Sequence, residues 1–313
     1  AAAIAAKDPA PAADAKPAAA AVATATGNVL KHKYTLADLA KHGTEDDCWI
    51  AVDGVVYDTN PYLAEHPGGA SSITMNAGTD ATEEFTAIHS RKAWALLDKY
   101  AIGVLDASGP APAAASTGDA VDAKGRKVAL VPKTKVGLTL TKKVQLSSDS
   151  FRLTFALPSD DHVLGLPTGQ HVLVYGKDAS GKSVARAYTP ATGDEVKGSV
   201  DFVIKAYRPL APRFPDGGAL SQYLCDRIDV GAVVQFRGPM GEIEYLGSGT
   251  FEASDHLGVK KRFSVKDAGL IAGGTGLTPM LQLITAVGAE VAADAPGAPA
   301  LSFLLGNRTE DDI

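Results

Sequence analysis

Two stretches of this chain carry no signal of a core, and they frame how the rest is expected to fold. Residues 1–33 are mostly Ala, Pro and Lys, and residues 106–134 are rich in Ala, Gly, Pro and Ser. Neither carries the apolar periodicity of a helix or strand, and such compositions bury too little apolar surface to offset the entropy of ordering. What lies outside them must therefore fold as separate modules joined by tethers. The sequence reading gives a disordered hinge over 1–33, a first module over 34–105, a flexible linker over 106–134, a second module over 135–247, and a segment 248–313 that begins a third. A length of 313 residues is compatible with that division.

The composition, 45% apolar and 21% charged, is that of a globular protein, and no run approaches the roughly 20 uninterrupted apolar residues of a membrane span. The chain does not begin with Met, and its first residues lack the basic start and apolar core of a signal peptide. Cys48 and Cys225 are the only cysteines and fall in different modules, which excludes a disulfide framework and points to a reducing, cytoplasmic compartment. The net charge of −6 is uneven, with eleven Asp/Glu against four Lys/Arg in residues 34–105 and a remainder near neutrality. An acidic module beside a neutral one suits electrostatically guided docking, and equally suits plain solubility. Nothing suggests nucleic-acid or membrane binding.

The first module alternates short strands and helices. Thr35-Leu36-Ala37-Asp38 matches a helix-starting capping box with Asp where Glu is usual. Trp49–Val52, Asp53-Gly54 and Val55–Asp58 give a hairpin signal, since Asp-Gly suits a tight type I′ turn. His66-Pro67-Gly68-Gly69 follows, with Pro67 fixing the turn and the two glycines letting backbone come close to a flat macrocycle. His89 stands 23 residues after His66, and Ile73, Met75 and Phe85 between them are candidates for an apolar wall. A lone His beside a Gly pair is ordinarily a turn residue. Two imidazoles on separate segments, with apolar residues between, can close both axial positions of a haem iron, which then only passes electrons. Trp49 and Trp94 are expected in the core.

The wording Trp49-Ile50, Val56-Tyr57-Asp58, His66–Gly69, Asn76–Asp80, Thr82–Phe85 and Ala87–Ser90 resembles the cytochrome b5 family throughout residues 34–105, and especially the haem domain of eukaryotic assimilatory nitrate reductases. The resemblance implies that His66 and His89 are the axial ligands of a b-type haem. Each imidazole would be neutral at its iron-bound nitrogen and donate from its other nitrogen to a backbone carbonyl.

The second module reads as strands with turn punctuation at 136–144, 151–156, 171–175, 185–188, 199–205 and 233–237, the pattern of an antiparallel β-barrel. Arg186-Ala187-Tyr188-Thr189-Pro190 ends one strand and joins a guanidinium suited to phosphate, an aromatic ring and a hydroxyl. Val203-Ile204-Lys205-Ala206-Tyr207 lies on the next strand, and the pair Gly217-Gly218, entering a helix at Ala219-Leu220-Ser221, is expected to present free backbone N–H groups and the positive end of a helix dipole to a diphosphate. Beyond residue 265 the pattern becomes one βαβ unit, with a strand at 269–272, a helix at 279–287 and a strand at 300–305. Gly273-Gly274-Thr275-Gly276, then Thr278-Pro279, sits between its first strand and helix, where glycines let a dinucleotide lie against a helix N-terminus.

This order resembles the ferredoxin–NADP reductase superfamily, and most closely its cytochrome b5 reductase and nitrate reductase branch. The resemblance implies a flavin-binding strand at Arg186, Ala187, Tyr188 and Thr189, and a second at Val203, Ile204, Lys205, Ala206 and Tyr207. Thr189 near flavin N5 and Lys205 near the nicotinamide nucleotide would be the catalytic pair. Phe214 matches an aromatic of the family's Pro-rich turn, and Ala219, Leu220 and Ser221 match its diphosphate-binding helix start, where the family usually has Met in place of Leu220. Gly273, Gly274, Thr275, Gly276 and Thr278 match its NAD(P)H-binding segment. The family's nucleotide lobe continues beyond one βαβ unit to a Cys-Gly-Pro-Pro motif that has no counterpart here, so an incomplete NAD(P)H domain is expected.

The two resemblances together imply a multidomain chain: an α+β cytochrome b5-like haem domain, an antiparallel β-barrel FAD domain and the start of an α/β nucleotide domain. Electrons would run from NADH or NADPH to FAD, to b-type haem, and to a molybdenum cofactor in a part preceding residue 1 that reduces nitrate to nitrite, in a homodimeric whole protein. The runner-up is a soluble cytochrome b5–cytochrome b5 reductase fusion feeding another acceptor. A b5-like steroid-binding module is disfavoured by the two intact histidines.

Overall fold

The computed structural model describes residues 32–106, 120–212, 214–255 and 259–307. They fall into two compact units, one of residues 32–106 and one of residues 120–255 and 260–307. The hinge expected over 1–33 lies outside the described residues except at its end, as does the first half of the expected linker.

The first unit runs β1 (Lys33–Thr35), α1 (Leu36–Lys41), β2 (Trp49–Val52), β3 (Val55–Asp58), a 3-10 turn (Asn60–Glu65), α2 (Ala70–Thr74), β4 (Thr79–Asp80), α3 (Thr82–Ile88), α4 (Arg91–Leu97) and β5 (Ala101–Asp106). Its sheet has the order β1-β5-β3-β2-β4. The capping box forms as read: Thr35 Oγ1 accepts from the Asp38 N–H, and the Asp38 carboxylate accepts from the Thr35 N–H, both at 3.1 Å. Asp carries out the Glu role because its carboxylate sits one bond closer yet still reaches the cap. Asp53 and Gly54 both take positive φ, 52° and 76°, which pairs Val52 with Val55 in a tight hairpin. Ile50, Val52 and Tyr57 from the hairpin bury against Ile73, Trp94 and Leu97. Trp49, half-buried, packs against a second small cluster of Leu39, Ala51 and Val56.

The second unit contains β6 (Lys135–Gln145), β7 (Ser150–Ala156), β8 (His171–Lys177), β9 (Ser183–Tyr188), β10 (Ser199–Lys205), α5 (Ala219–Gln222), a π-helical turn (Tyr223–Arg227) and β11 (Val233–Met240). The six strands form one antiparallel sheet in the order β10-β7-β6-β11-β8-β9, curled as a half-barrel whose edge strands are β10 and β9. Period-2 alternation directs Leu138, Leu140, Leu153, Phe155, Phe202, Ile204, Val234 and Phe236 into the core. Phe155, Phe202 and Phe236 meet there with ring centres 5.0–6.0 Å apart.

The expected linker over 106–134 is corrected at its C-terminal end. Val128, Ala129 and Leu130 are buried, with Ala129 and Leu130 in the half-barrel core, and Ala129 and Leu130 donate N–H groups to Val163 and Leu164. Arg126 ties this segment down, bonding Asp122 and both the carboxylate and the carbonyl of Asp194. Three short apolar residues among Ala and Lys give no periodic signal, so composition alone assigned them to the tether. The segment from 248 is likewise more ordered than a linker: β12 (Ile243–Gly247), β13 (Thr250–Ser254) and β14 (Lys260–Ser264) make a three-stranded antiparallel sheet. The βαβ unit then follows as read, with β15 (Asp267–Gly273) parallel to β16 (Ala300–Gly306) and joined by α6 (Leu277–Ala292). Among the described residues no helix is long and apolar enough to cross a membrane.

Candidate cofactor sites

In the first unit, His66 follows the 3-10 turn and His89 ends α3, so each imidazole is carried by an element end. Their ring centres lie 6.0 Å apart. Two metal–imidazole bonds of about 2 Å each, plus the half-width of each ring, require about this spacing. Each ring is oriented by its other nitrogen: His66 Nδ1 lies 2.9 Å from the Gly69 carbonyl and His89 Nδ1 lies 3.2 Å from the Phe85 carbonyl. A carbonyl only accepts, so both Nδ1 atoms carry protons and both Nε2 atoms keep a lone pair for a metal. Burial, and secondarily the nearby His66, push the His89 pKa down to about 4, so this imidazole is neutral near pH 7.

The glycines after His66 are required by contact. A Cβ on Gly68 would lie 2.9 Å from His66 Cε1, and Gly69 has φ +80° at the start of α2. Ile73 is buried in the core cluster and Phe85 packs against that cluster, Phe85 stacks on His89 with ring centres 4.1 Å apart, and Tyr62 stands edge-on to His66 at 5.8 Å. The imidazole pair, its fixed tautomers and the glycine approach fit a haem held from both faces.

In the second unit, the two strands expected to hold flavin are the two edges of the half-barrel. Arg186 and Tyr188 stand on β9, Val203 and Lys205 on β10. The chain just after β9 turns to the opposite edge: the Ala191 N–H donates to the Asp201 carbonyl at 2.8 Å, which brings Thr189 and Pro190 to the seam between them. An edge strand leaves a row of backbone donors and acceptors for another molecule. The side chains do not all face that way. Ile204, Ala206 and Leu220 are buried in the core, and Leu220 packs where Gly176 of β8 leaves no room for a Cβ, 2.6 Å from it. These three can meet a cofactor only through backbone. Thr189 is buried, and Lys205 Nζ lies 3.4 Å from Asp149.

Tyr207, Phe214, Ser221 and Thr275 come together from four segments. The Tyr207 N–H donates to Ser221 Oγ at 3.2 Å, Tyr207 Oη lies 3.3 Å from Thr275 Oγ1, and its ring meets Phe214 edge-on at 6.4 Å. One expectation is corrected here. The N–H groups of Gly217 and Gly218 are donated to the carbonyls of Phe214 and Tyr207, so the Gly pair shapes the loop instead of offering donors to an anion. Gly217 takes φ +66°, and a Cβ there would sit 2.6 Å from the Tyr207 carbonyl oxygen. The donors left for a diphosphate are the first-turn N–H groups of Ala219, Leu220 and Ser221, which have no acceptor within the helix. That helix is only four residues long, so its dipole adds little.

Gly273 ends β15, Gly274–Gly276 form a 3-10 turn, and Thr278 in the first turn of α6 donates back to the Thr275 carbonyl at 3.3 Å. This is the strand–turn–helix setting that the glycine pattern requires. Sequence reasoning missed Gln282 and Asp194, both of which hold this unit together. The Gln282 signal was a lone amide in the apolar run Met280-Leu281-Gln282-Leu283-Ile284.

Comparison with known proteins gives the families that these two units resemble. Residues 35–106 match the family described as cytochrome b5-like heme/steroid binding domain, and residues 137–245 match the oxidoreductase FAD-binding domain. The nitrate reductase [NADH] of Spinacia oleracea is 40% identical over 304 residues, 91% of this chain and 32% of that protein. The nitrate reductase [NADH] of Volvox carteri is 41% identical over 292 residues, 90% of this chain and 32% of that protein. The chain thus spans about a third of the length of these relatives. The crystal structure of the cytochrome b5 reductase domain of Ulva prolifera nitrate reductase superposes with a TM-score of 0.52 at 37% identity, covering 59% of this chain and 66% of that one.

Proposed function

This chain belongs to the eukaryotic nitrate reductase family, of which it carries the cytochrome b5-like and FAD-binding modules, and on that premise we propose that it conducts electrons from NADH through FAD to a b-type haem. The recipient is a molybdenum centre elsewhere in the whole protein, where nitrate becomes nitrite. NADH rather than NADPH is supported by the relatives, which are described as NADH enzymes. A cytoplasmic setting is supported by the sparse cysteine usage, Cys48 and Cys225 alone and in different units. A homodimeric whole protein is supported only by the family resemblance.

The observation that carries this function is the imidazole pair, His66 and His89, 6.0 Å apart with both Nδ1 atoms committed to carbonyls. It favours haem over a steroid: His66 and His89 would hold the iron between them, and a haem so held would supply electron transfer. The carbonyls of Gly69 and Phe85 hold each proton on Nδ1, which makes Nε2 the better donor to iron.

On the flavin side, Arg186 and the first turn at Ala219–Ser221 would bind phosphate, Tyr188 and Tyr207 would flank the ring system, and Thr189 would hold a hydroxyl at the seam. Lys205, paired with Asp149, would orient the nicotinamide nucleotide, and the turn at Gly273–Gly276 with Thr278 would receive its diphosphate. Bound there, FAD supplies what no side chain can, accepting a hydride's two electrons and releasing them singly to a haem iron.

The test is anaerobic. Protein loaded with haem and FAD and mixed with NADH should develop the sharp reduced bands of a six-coordinate low-spin haem. Haem that stays oxidised while the flavin bleaches, or that binds carbon monoxide on reduction, would refute the proposal.

A further inference from the structure

Helix α6 carries Thr278 in its first turn, yet it is poorly anchored by apolar contact: Val287 is its one fully buried hydrophobic residue among those described. Two polar side chains hold it instead. Gln282, buried, accepts the Gly169 N–H on Oε1 at 2.7 Å. Glu290, two turns on, accepts from Tyr245 Oη at 2.7 Å and from the Ser248 N–H at 3.1 Å.

The Gln282 contact falls at a sensitive place. Gly169 has φ +100°, and a Cβ there would lie 2.8 Å from the Ile243 carbonyl oxygen, so the backbone at this point is fixed. Three residues on, Val172 of β8 pairs with Tyr188 of β9, immediately before Thr189. Gln282 also lines a small cavity with Pro190 and Thr192, the residues that follow Thr189. On α6, Thr278 and Gln282 are four residues apart and share a helix face. One amide therefore registers the face bearing Thr278 against the strand end bearing Thr189.

The geometry points to Gln282 as a positioning residue for hydride transfer: its hydrogen bond to Gly169 sets the approach of nicotinamide to flavin, while its own side chain touches neither. This rests on the proposed NADH-to-FAD function. Positioning of this kind acts on rate more than on affinity, because a misplacement of about 1 Å costs orders of magnitude in rate.

The experiment compares FAD-loaded protein with its Gln282→Met and Gln282→Glu variants. Met keeps length and apolar bulk but removes the acceptor, and Glu restores an acceptor oxygen. In Gln282→Met the limiting rate of flavin reduction by NADH should fall about tenfold or more. The NADH concentration for half-maximal rate and the FAD content should not change, and the Gly169 amide should exchange hydrogen faster. Gln282→Glu should recover both rate and protection. An unchanged limiting rate, unchanged exchange at Gly169, no recovery with Glu, or a rate lost only in proportion to FAD would each overturn the positioning role. If the unsubstituted protein's flavin is not reduced by NADH, the NADH-to-FAD function itself fails, and the role of Gln282 falls with it.

Discussion

Phe85 holds His89 through both its carbonyl, which also accepts the His89 backbone N–H at 2.9 Å, and its ring. Its carbonyl accepts the His89 Nδ1 proton at 3.2 Å, and its ring lies flat against the imidazole, with centres 4.1 Å apart and planes 8° apart. Trp94 backs the Phe85 ring edge-on at 4.8 Å, so the imidazole is gripped through a short aromatic stack anchored in the core. Phe85→Ala keeps the carbonyl and removes the stack. It should lower the stability of the first unit by about 2–3 kcal/mol, somewhat below the usual range for Phe→Ala because Phe85 is only half-buried. Haem should dissociate faster from the variant, measured by transfer to an acceptor protein; an unchanged release rate would show that the carbonyl alone orients His89.

Gly217 bears on flavin retention. Its positive φ and the 2.6 Å approach of the Tyr207 carbonyl oxygen leave no place for a methyl group. Gly217→Ala should cost about 1–3 kcal/mol of local strain and displace the loop that carries Tyr207 and Ser221. FAD affinity, followed by recovery of free flavin fluorescence on dilution, should fall at least about tenfold, as a loss of 1.4 kcal/mol implies. Affinity equal to that of the parent would mean that this loop does not contact the cofactor.

Asp194 joins three segments. One carboxylate oxygen accepts the N–H groups of Gly165 and Leu166 at 2.7 and 2.9 Å, and the other meets Arg126. Asp194→Ala leaves these donors without their acceptor and frees the 120–130 segment, for a loss of about 2–3 kcal/mol. Urea unfolding followed by flavin-unit fluorescence should show a lower midpoint with the same slope. A midpoint unchanged from the parent would make the Arg126–Asp194 tie incidental.

Cys225 should be chemically silent in the folded protein. Burial, and secondarily Asp226, push its thiol up to about 12, from an ordinary value of 9.0. Because the folded pKa lies above the unfolded one, its contribution to stability is intact below pH 9 and is lost as the pH rises towards 12, where the unfolded chain sheds the proton first. Thiol titration at pH 8 should label Cys225 only after denaturation. Rapid labelling of native protein would place the thiol at the surface.

The local signals that proved readable were those in which a residue type has one steric or hydrogen-bonding use. Asp53-Gly54 needs positive φ at both positions, Thr35 and Asp38 satisfy each other's backbone, and Gly273–Gly276 stands between a strand and a helix. The signals that misled were compositional. Val128, Ala129 and Leu130 looked like tether because three apolar residues make no period, and only the approach of Val163 and Leu164 gives them a partner. The pair Gly217-Gly218 looked like an anion cradle, but whether its N–H groups are free depends on where Phe214 and Tyr207 put their carbonyls.

By itself, the order of residues determined the strand and helix identities around each motif and marked His66 and His89 as candidates, because each follows from local sterics and side-chain chemistry. Only tertiary structure decided that the two imidazoles stand 6.0 Å apart, that β9 and β10 are opposite edges of one curled sheet, and that Gln282 meets Gly169 across 113 residues. Distances of that kind are set by packing between segments remote in the chain, and no residue carries them alone.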